Sequence, residues 1–204
     1  MFDVGANVGQ SAGRFLEKFP KSKIYCFEPA GESFNQLQES LRDYQNVHSF
    51  KLAFGATKGK GKMVIQGLSK LSSLSDMAND EFINDEPKYE EVDLTTVDEF
   101  CADNSIYNIN YLKIDTEGSD LEILKGANNM LNNTQIDLVQ VEAGMNIGNK
   151  RHVPFEVFKR FLEERGYYLF GIYDQAHEWP KEEPHLRRTN SVFVSDVVIR
   201  ANRK

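Results

Sequence analysis

At 204 residues, 40% of them hydrophobic, the chain holds enough apolar material for one domain with a sizeable core. Its formal net charge of −7 and isoelectric point near 5.2 argue against a duplex-binding protein with a basic face, and no DNA partner is expected. No apolar run approaches the roughly 18 residues of a membrane span, no signal peptide precedes the first motif, and Cys26 and Cys101 fall in different predicted elements, so buried, reduced thiols and a cytoplasmic location are expected.

The chain opens on Phe2-Asp3-Val4-Gly5-Ala6-Asn7-Val8-Gly9-Gln10, and Glu28-Pro29 follows at the end of Ile24-Tyr25-Cys26-Phe27. An acidic strand end, a turn of small residues, then a second acidic strand end about 25 residues later is the pattern of a βαβ nucleotide-binding unit. In such a unit the turn leaves room for a ligand at a helix N-terminus, and the second acid takes ribose hydroxyls. A dinucleotide turn wants glycine at its first, third and sixth positions, which here are Gly5, Asn7 and Gln10. The Asn7 side chain stands where a pyrophosphate needs bare backbone, which disfavours NAD and FAD. S-adenosylmethionine carries no phosphate: its adenosine suits Glu28, its zwitterionic end suits the turn, and its sulfonium tolerates nearby carboxylates. A plain tight strand-to-helix turn would also select Gly5 and Gly9.

Further along, 11–18 and 32–44 have helical periodicity, 24–27 is a strand, and 47–54 reads as a third strand. Residues 55–62 form a Gly/Lys turn leading into another strand at 63–65. Lys60 occupies a position where a phosphate loop counted from Gly55 needs glycine, so the turn reads as a hairpin-type connection. Residues 68–88 are polar and predict a loop with a short helix, and 91–94 is extended. Thr96-Val97-Asp98-Glu99 has the form of a capping box.

The strand 109–114 runs into Asp115-Thr116-Glu117-Gly118, and Ser119-Asp120-Leu121-Glu122 resembles a second capping box opening a helix through Leu131. The strand 136–141 ends at Glu142, the helix 155–165 is closed by Gly166, and 167–173 and 191–199 supply the last strands. A polar loop, 174–190, lies between them. Alternating strands and helices predict a mainly parallel sheet covered on both faces. Asp3, Glu28, Asp115 and Glu142 would then share one rim, where open α/β sheets bind ligands. No Cys/His spacing supports zinc.

Asp3-Val4-Gly5-Ala6-Asn7-Val8-Gly9, Phe27-Glu28-Pro29 and the stretch from Lys113 to Ala127 together resemble the FkbM family of S-adenosylmethionine-dependent methyltransferases. Thr95-Thr96-Val97-Asp98-Glu99-Phe100 and Asp137-Leu138-Val139-Gln140-Val141-Glu142 are similar to that family in the same order. The resemblance implies a class I methyltransferase fold: a Rossmann-like three-layer sandwich whose mostly parallel seven-stranded sheet has its last strand antiparallel. It implies O-methylation of a hydroxyl on a sugar, glycan or natural product, with a small-molecule or glycan acceptor as partner.

By the same resemblance, Asp3, Gly5, Asn7 and Gly9 line the methionine end of the cofactor, and Glu28 takes the ribose diol beside Pro29. Ala53 and Phe54 lie near adenine, Ser72 and Ser73 match a serine patch near the cofactor, and Asp115 sits beside the reacting methyl group. Asp115 is the expected base or orienting acceptor, with Glu117 and Glu142 as neighbours whose clustering would raise one another's pKa. The same three acids suit Mg²⁺ or Ca²⁺ as a lesser alternative, and no metal ligand is assigned. His152 and His177, in polar loops, are reserve bases. The chain reads as a single methyltransferase domain over 1–204 with the family's N-terminal helices absent: either it is a truncated version, or loops or another subunit supply the cofactor's cover. A non-catalytic module that keeps the fold is the alternative.

Overall fold

The computed structural model describes residues 1–65, 73–74, 88–178 and 183–203. The chain runs β1 (Phe2–Val4), α1 (Gln10–Lys18), β2 (Ile24–Phe27), α2 (Gly31–Leu41), β3 (Val47–Phe50), β4 (Ala53–Phe54), β5 (Gly59–Ile65), β6 (Ser73–Leu74) and β7 (Lys88–Thr95). It continues through α3 (Val97–Asp103), β8 (Ile109–Ile114), α4 (Asp120–Lys125), α5 (Asn128–Asn132), β9 (Ile136–Gly144), α6 (Phe155–Glu163), β10 (Tyr167–Glu178), β11 (Glu183–Ser195) and α7 (Asp196–Ala201).

Seven strands form one sheet in the order β10-β11-β9-β8-β1-β2-β3, parallel except for β11, which is antiparallel to both neighbours. This is the class I methyltransferase architecture. The chain builds outward from β1 in both directions, which places the topological switch point between β1 and β8. Strand alternation sorts the two faces. Phe2, Val4, Phe27, Leu112 and Ile114 pack with residues of α3 to α6, while Ile24 and Cys26 pack with Ala12 and Leu16 of α1 and Leu37 and Leu41 of α2.

Phe100 of α3 enters the first layer edge-on to Phe2, Phe27, Phe50 and Phe54, with ring centroids 4.9–5.8 Å away. Such edge-to-face geometry is the favoured one for aromatic pairs. It fastens β4 beside β2, although β4 belongs to a second sheet of order β4-β7-β5-β6. The single third strand expected over 47–54 is therefore two strands, and Lys51-Leu52 hands the chain from one sheet to the other.

The helix expected through Leu131 is divided at Gly126-Ala127, where Gly126 packs so close to Gly55 that a Cβ would stand 2.1 Å from its carbonyl oxygen. Asp98 then accepts from the Asn129 and Met130 amides at 2.7 and 3.0 Å, satisfying the first donors of α5. Thr96 caps α3 as its capping box predicts, accepting from Glu99 N at 3.0 Å. Ser119 makes no such side-chain cap on α4. The polar segment 174–190, expected as a loop, continues β10 and β11 as a bulged hairpin among its described residues, and the last predicted strand turns into α7 at Asp196. Most of the expected loop and short helix at 68–88 lies outside the described residues.

Two glycines separate packing from propensity. Gly126→Ala is expected to destabilise the fold by about 1–3 kcal/mol through overpacking against Gly55. Gly13→Ala in α1, where nothing lies within 4 Å of the added carbon, is expected to stabilise it by about 0.5–1 kcal/mol. Urea denaturation of both variants checks the opposite signs.

Candidate active site

The turn after β1 is built by backbone conformation. Gly5, Asn7 and Gly9 all have positive φ, and asparagine tolerates this region better than most side chains. At Gly5 (φ +77°) a Cβ would lie 2.0 Å from the Asp115 carbonyl oxygen, so only glycine lets β1 and β8 end this close together. The Gly5 and Ala6 amides both donate to Phe27 O at 3.0 Å, which ties the turn to the end of β2.

Glu28 completes that tie. Its Oε2 accepts from Asn7 N at 2.8 Å and its Oε1 from Ala30 N at 2.9 Å. Burial pushes its pKa up, and the two amide donors oppose the rise. Each oxygen keeps lone-pair capacity for a ligand.

A cavity of about 540 Å³ opens over these strand ends. Gly5, Asn7, Glu28, Pro29, Ala53, Phe54, Asp115 and Glu117 line it, so the structure brings most of the expected site residues together. Asp3 does not line it. Asp3 is fully buried in mid-strand, in register with Lys113, whose Nζ is 3.1 Å from Asp3 Oδ1 and 3.2 Å from Asp115 Oδ2. Burial alone would lower the Lys113 pKa, but the two carboxylates outweigh it and the net direction is up. Gly9 also stands off the cavity, under Leu37 and Leu41.

Ser72 lies outside the described residues, and Ser73 is placed only as part of β6. His177 is exposed on β10 and is not among the lining residues. Residues not singled out from the sequence also line the cavity: Ser11 and Arg14 of α1, Leu52, Met63, Lys113 and Arg188. Lys113 has one signal, a lysine inside an apolar strand, whose meaning needs the register with Asp3.

Beyond Asp115 the chain turns sharply, with Glu117 at φ +56° and Gly118 at +121°. Asp120 holds the turn, accepting from Thr116 N at 3.0 Å and Thr116 Oγ1 at 2.5 Å. Glu142 lies behind the cavity wall rather than in it. It ion-pairs with Arg188, its diagonal neighbour across β9 and β11, and lies 2.6 Å from His152 Nε2. Glu117 pairs with Arg151 Nε at 2.7 Å. The expected mutual raising of acid pKa values therefore fails at Glu117: burial raises it, but the His152 ring and Arg151 outweigh burial and hold it below the ordinary range.

The fold and the site define the class: an α/β protein of methyltransferase architecture with its ligand cavity at the switch point. More narrowly, the family model for the methyltransferase FkbM domain matches residues 3–169, and the chain belongs to the FkbM methyltransferase family. It is 25% identical over 152 residues to the hexuronic acid methyltransferase AglP of Haloferax volcanii, covering 71% of this chain and 56% of that protein. It is 22% identical over 152 residues to the 2-O-methyltransferase NoeI of Sinorhizobium fredii, covering 66% and 60%. The chain thus spans less than two thirds of either relative's length. The solved methyltransferase FkbM of Methylobacillus flagellatus superposes with a TM-score of 0.61 at 16% identity, over 95% of this chain and 42% of that one. M. capricolum TrmK superposes at 0.54 with 10% identity, over 96% and 61%.

Asp120 gives the site a pH signature. Burial, and secondarily Asp115, push its carboxyl up to about 6, with the Thr116 bonds opposing. The folded chain therefore holds this proton more tightly than the unfolded chain, so the group favours folding at low pH and that contribution is lost as pH rises through about 6. Relative to Asp120→Asn, the wild type is expected to lose on the order of 2 kcal/mol of stability between about pH 4 and pH 7. Urea denaturation at both pH values checks this, and an unchanged difference contradicts it.

Proposed function

We propose that this protein transfers a methyl group from S-adenosylmethionine to a hydroxyl of a sugar, glycan or natural-product acceptor. The observation that carries the reading is one continuous cavity with Glu28 and the Gly5–Asn7 turn at one end and Asp115 beside them. The names of the two relatives, one acting on a hexuronic acid and one a 2-O-methyltransferase, favour oxygen on a sugar as the acceptor atom.

The residues fit the donor. Glu28 has acceptor capacity for two ribose hydroxyls, and Leu52, Ala53, Phe54 and Met63 offer an apolar wall for adenine. The turn approaches by backbone, with Asn7 excluding a pyrophosphate but not an amino-acid end. When bound, the donor supplies an electrophilic methyl group on sulfur.

Asp115 orients the acceptor hydroxyl and takes its proton on the carboxylate. Lys113 fixes that carboxylate through Oδ2, and the buried Asp3 fixes Lys113. Orientation of this kind can be worth effective molarities of about 10⁵ M or more, and a positioned base about 10²–10⁴-fold. The two free, buried thiols, Cys26 and Cys101, agree with a reducing cytoplasm. Among the described residues, no helix is long and apolar enough to cross a membrane.

Glu28→Ala is expected to weaken S-adenosylhomocysteine binding at least about tenfold by calorimetry; unchanged affinity would mean the nucleoside end is misplaced. Asp115→Asn is expected to keep that affinity within a few-fold and to lower methyl transfer to a sugar panel by about 10²–10⁴. Full turnover in this variant removes Asp115 from the mechanism.

A further inference from the structure

The cavity takes its charged side chains from several elements, and nearly all of them are engaged within the chain. Lys113 lies between Asp3 and Asp115, Arg188 pairs with Glu142, Glu117 pairs with Arg151, and Glu28 accepts from the Asn7 and Ala30 amides. Among the described residues, Arg14 of α1 is the one charged group lining the cavity that has neither an ion-pair nor a hydrogen-bond partner. Its side chain is exposed, so its charge is hydrated and open to a ligand.

The helix explains how Arg14 reaches the cavity. Gln10, Ser11 and Arg14 all line it, and Arg14 stands one turn, about 5.4 Å of rise, behind Gln10. Helical side chains lean toward the N-terminus of their helix, so the guanidinium extends back over that turn toward the strand ends. Ala12 and Leu16 hold the other side of α1 against Ile24 and Cys26 of β2. The first turn of α1 contains no acidic residue, so no carboxylate there competes for the charge.

The donor's own charges then set its direction in the cavity. With adenosine against Glu28 and the apolar wall, what remains is the sulfur and an amino-acid end bearing one ammonium and one carboxylate. That carboxylate is repelled by the rim that carries Asp115 and Glu117, and it needs positive charge elsewhere on the wall. Lys113 and Arg188 are already neutralised by acids, and Arg14 is not. Of the four residues expected at the methionine end, Asp3 and Gly9 stand off the cavity, and Gly5 and Asn7 bring no cation. A guanidinium meets a carboxylate with two parallel N–H donors, a geometry that an ammonium does not reproduce.

We infer that Arg14 binds the α-carboxylate of the donor and makes the site selective for an adenosyl amino acid over an adenosyl amine. This role rests on S-adenosylmethionine being the donor, and it supplies the positive charge that the methionine end otherwise lacks. Because Arg14 is exposed, water screens the pair, and the contact is worth about one order of magnitude in affinity rather than several.

Calorimetry with three ligands tests this: S-adenosylhomocysteine, its decarboxylated analogue, and methylthioadenosine, which lacks the whole amino-acid end. The wild type is expected to bind S-adenosylhomocysteine about tenfold more tightly than the decarboxylated analogue. Arg14→Gln is expected to bring those two ligands within about threefold of each other and to leave methylthioadenosine affinity as in the wild type, a control for the adenosine end and the fold. Arg14→Lys is expected to keep only part of the preference. A wild type that binds the first two ligands alike, or an Arg14→Gln variant that keeps the wild-type preference, overturns the role of Arg14 and leaves the donor reading in place. A wild type that binds none of the three at about 1 mM removes the donor reading and the role of Arg14 together.

Discussion

The Lys113 ammonium is buried between Asp3 and Asp115, and an unpaired charge at that depth costs several kcal/mol. The register that places β1 beside β8 is thereby fixed by charge as well as by apolar packing. Sliding either strand by one residue would strand Asp3 or Lys113 in the apolar layer beneath α3 to α5. With the register set, Gly5 meets the Asp115 carbonyl, the turn after β1 opens over the strand ends, and Glu28 can reach the Asn7 amide. Asp3 is thus one layer removed from any ligand, yet the geometry of the Asp115 carboxylate rests on it through Lys113.

The rim beyond Asp115 divides its acids by environment. Glu28 is raised by burial and engaged by backbone amides, Asp120 is raised and engaged by Thr116, and Glu117 is lowered by its cationic neighbours. Carboxylates a few residues apart therefore differ because of what surrounds each. Glu142 was expected at a strand end like Asp115, but β9 continues past it to Gly144, and its partners, Arg188 and His152, come from β11 and from the segment ahead of α6.

Much of the frame was legible in the chain because it is local. The β1 turn, the apolar strand at 109–114 and the Thr96 capping box each announce themselves within ten residues. What could not be read depends on contacts distant in sequence. The second sheet needs β4 to pair with β7 some 40 residues later. The close approach of Gly126 to the Gly55 carbonyl likewise joins residues far apart in the chain. Among the acids, the sequence grouped Asp3 with the ligand-facing residues because both strand faces look alike before the register is known. The Glu117, Glu142 and His152 cluster joins three separate segments, so no spacing motif could reveal it, and the polar hairpin at 174–190 read as a loop because polarity was its visible feature.

The central claim is that an adenosyl donor occupies the cavity at the β1–β8 switch point, gripped by Glu28. Backbone amide NMR during titration with S-adenosylhomocysteine tests it most directly. The largest shifts are expected at Gly5, Asn7 and Ala30, whose amides bond Phe27 O or Glu28, while α7 stays unmoved. Saturating ligand that leaves those three amides in place, or that moves residues on another face instead, would contradict the account.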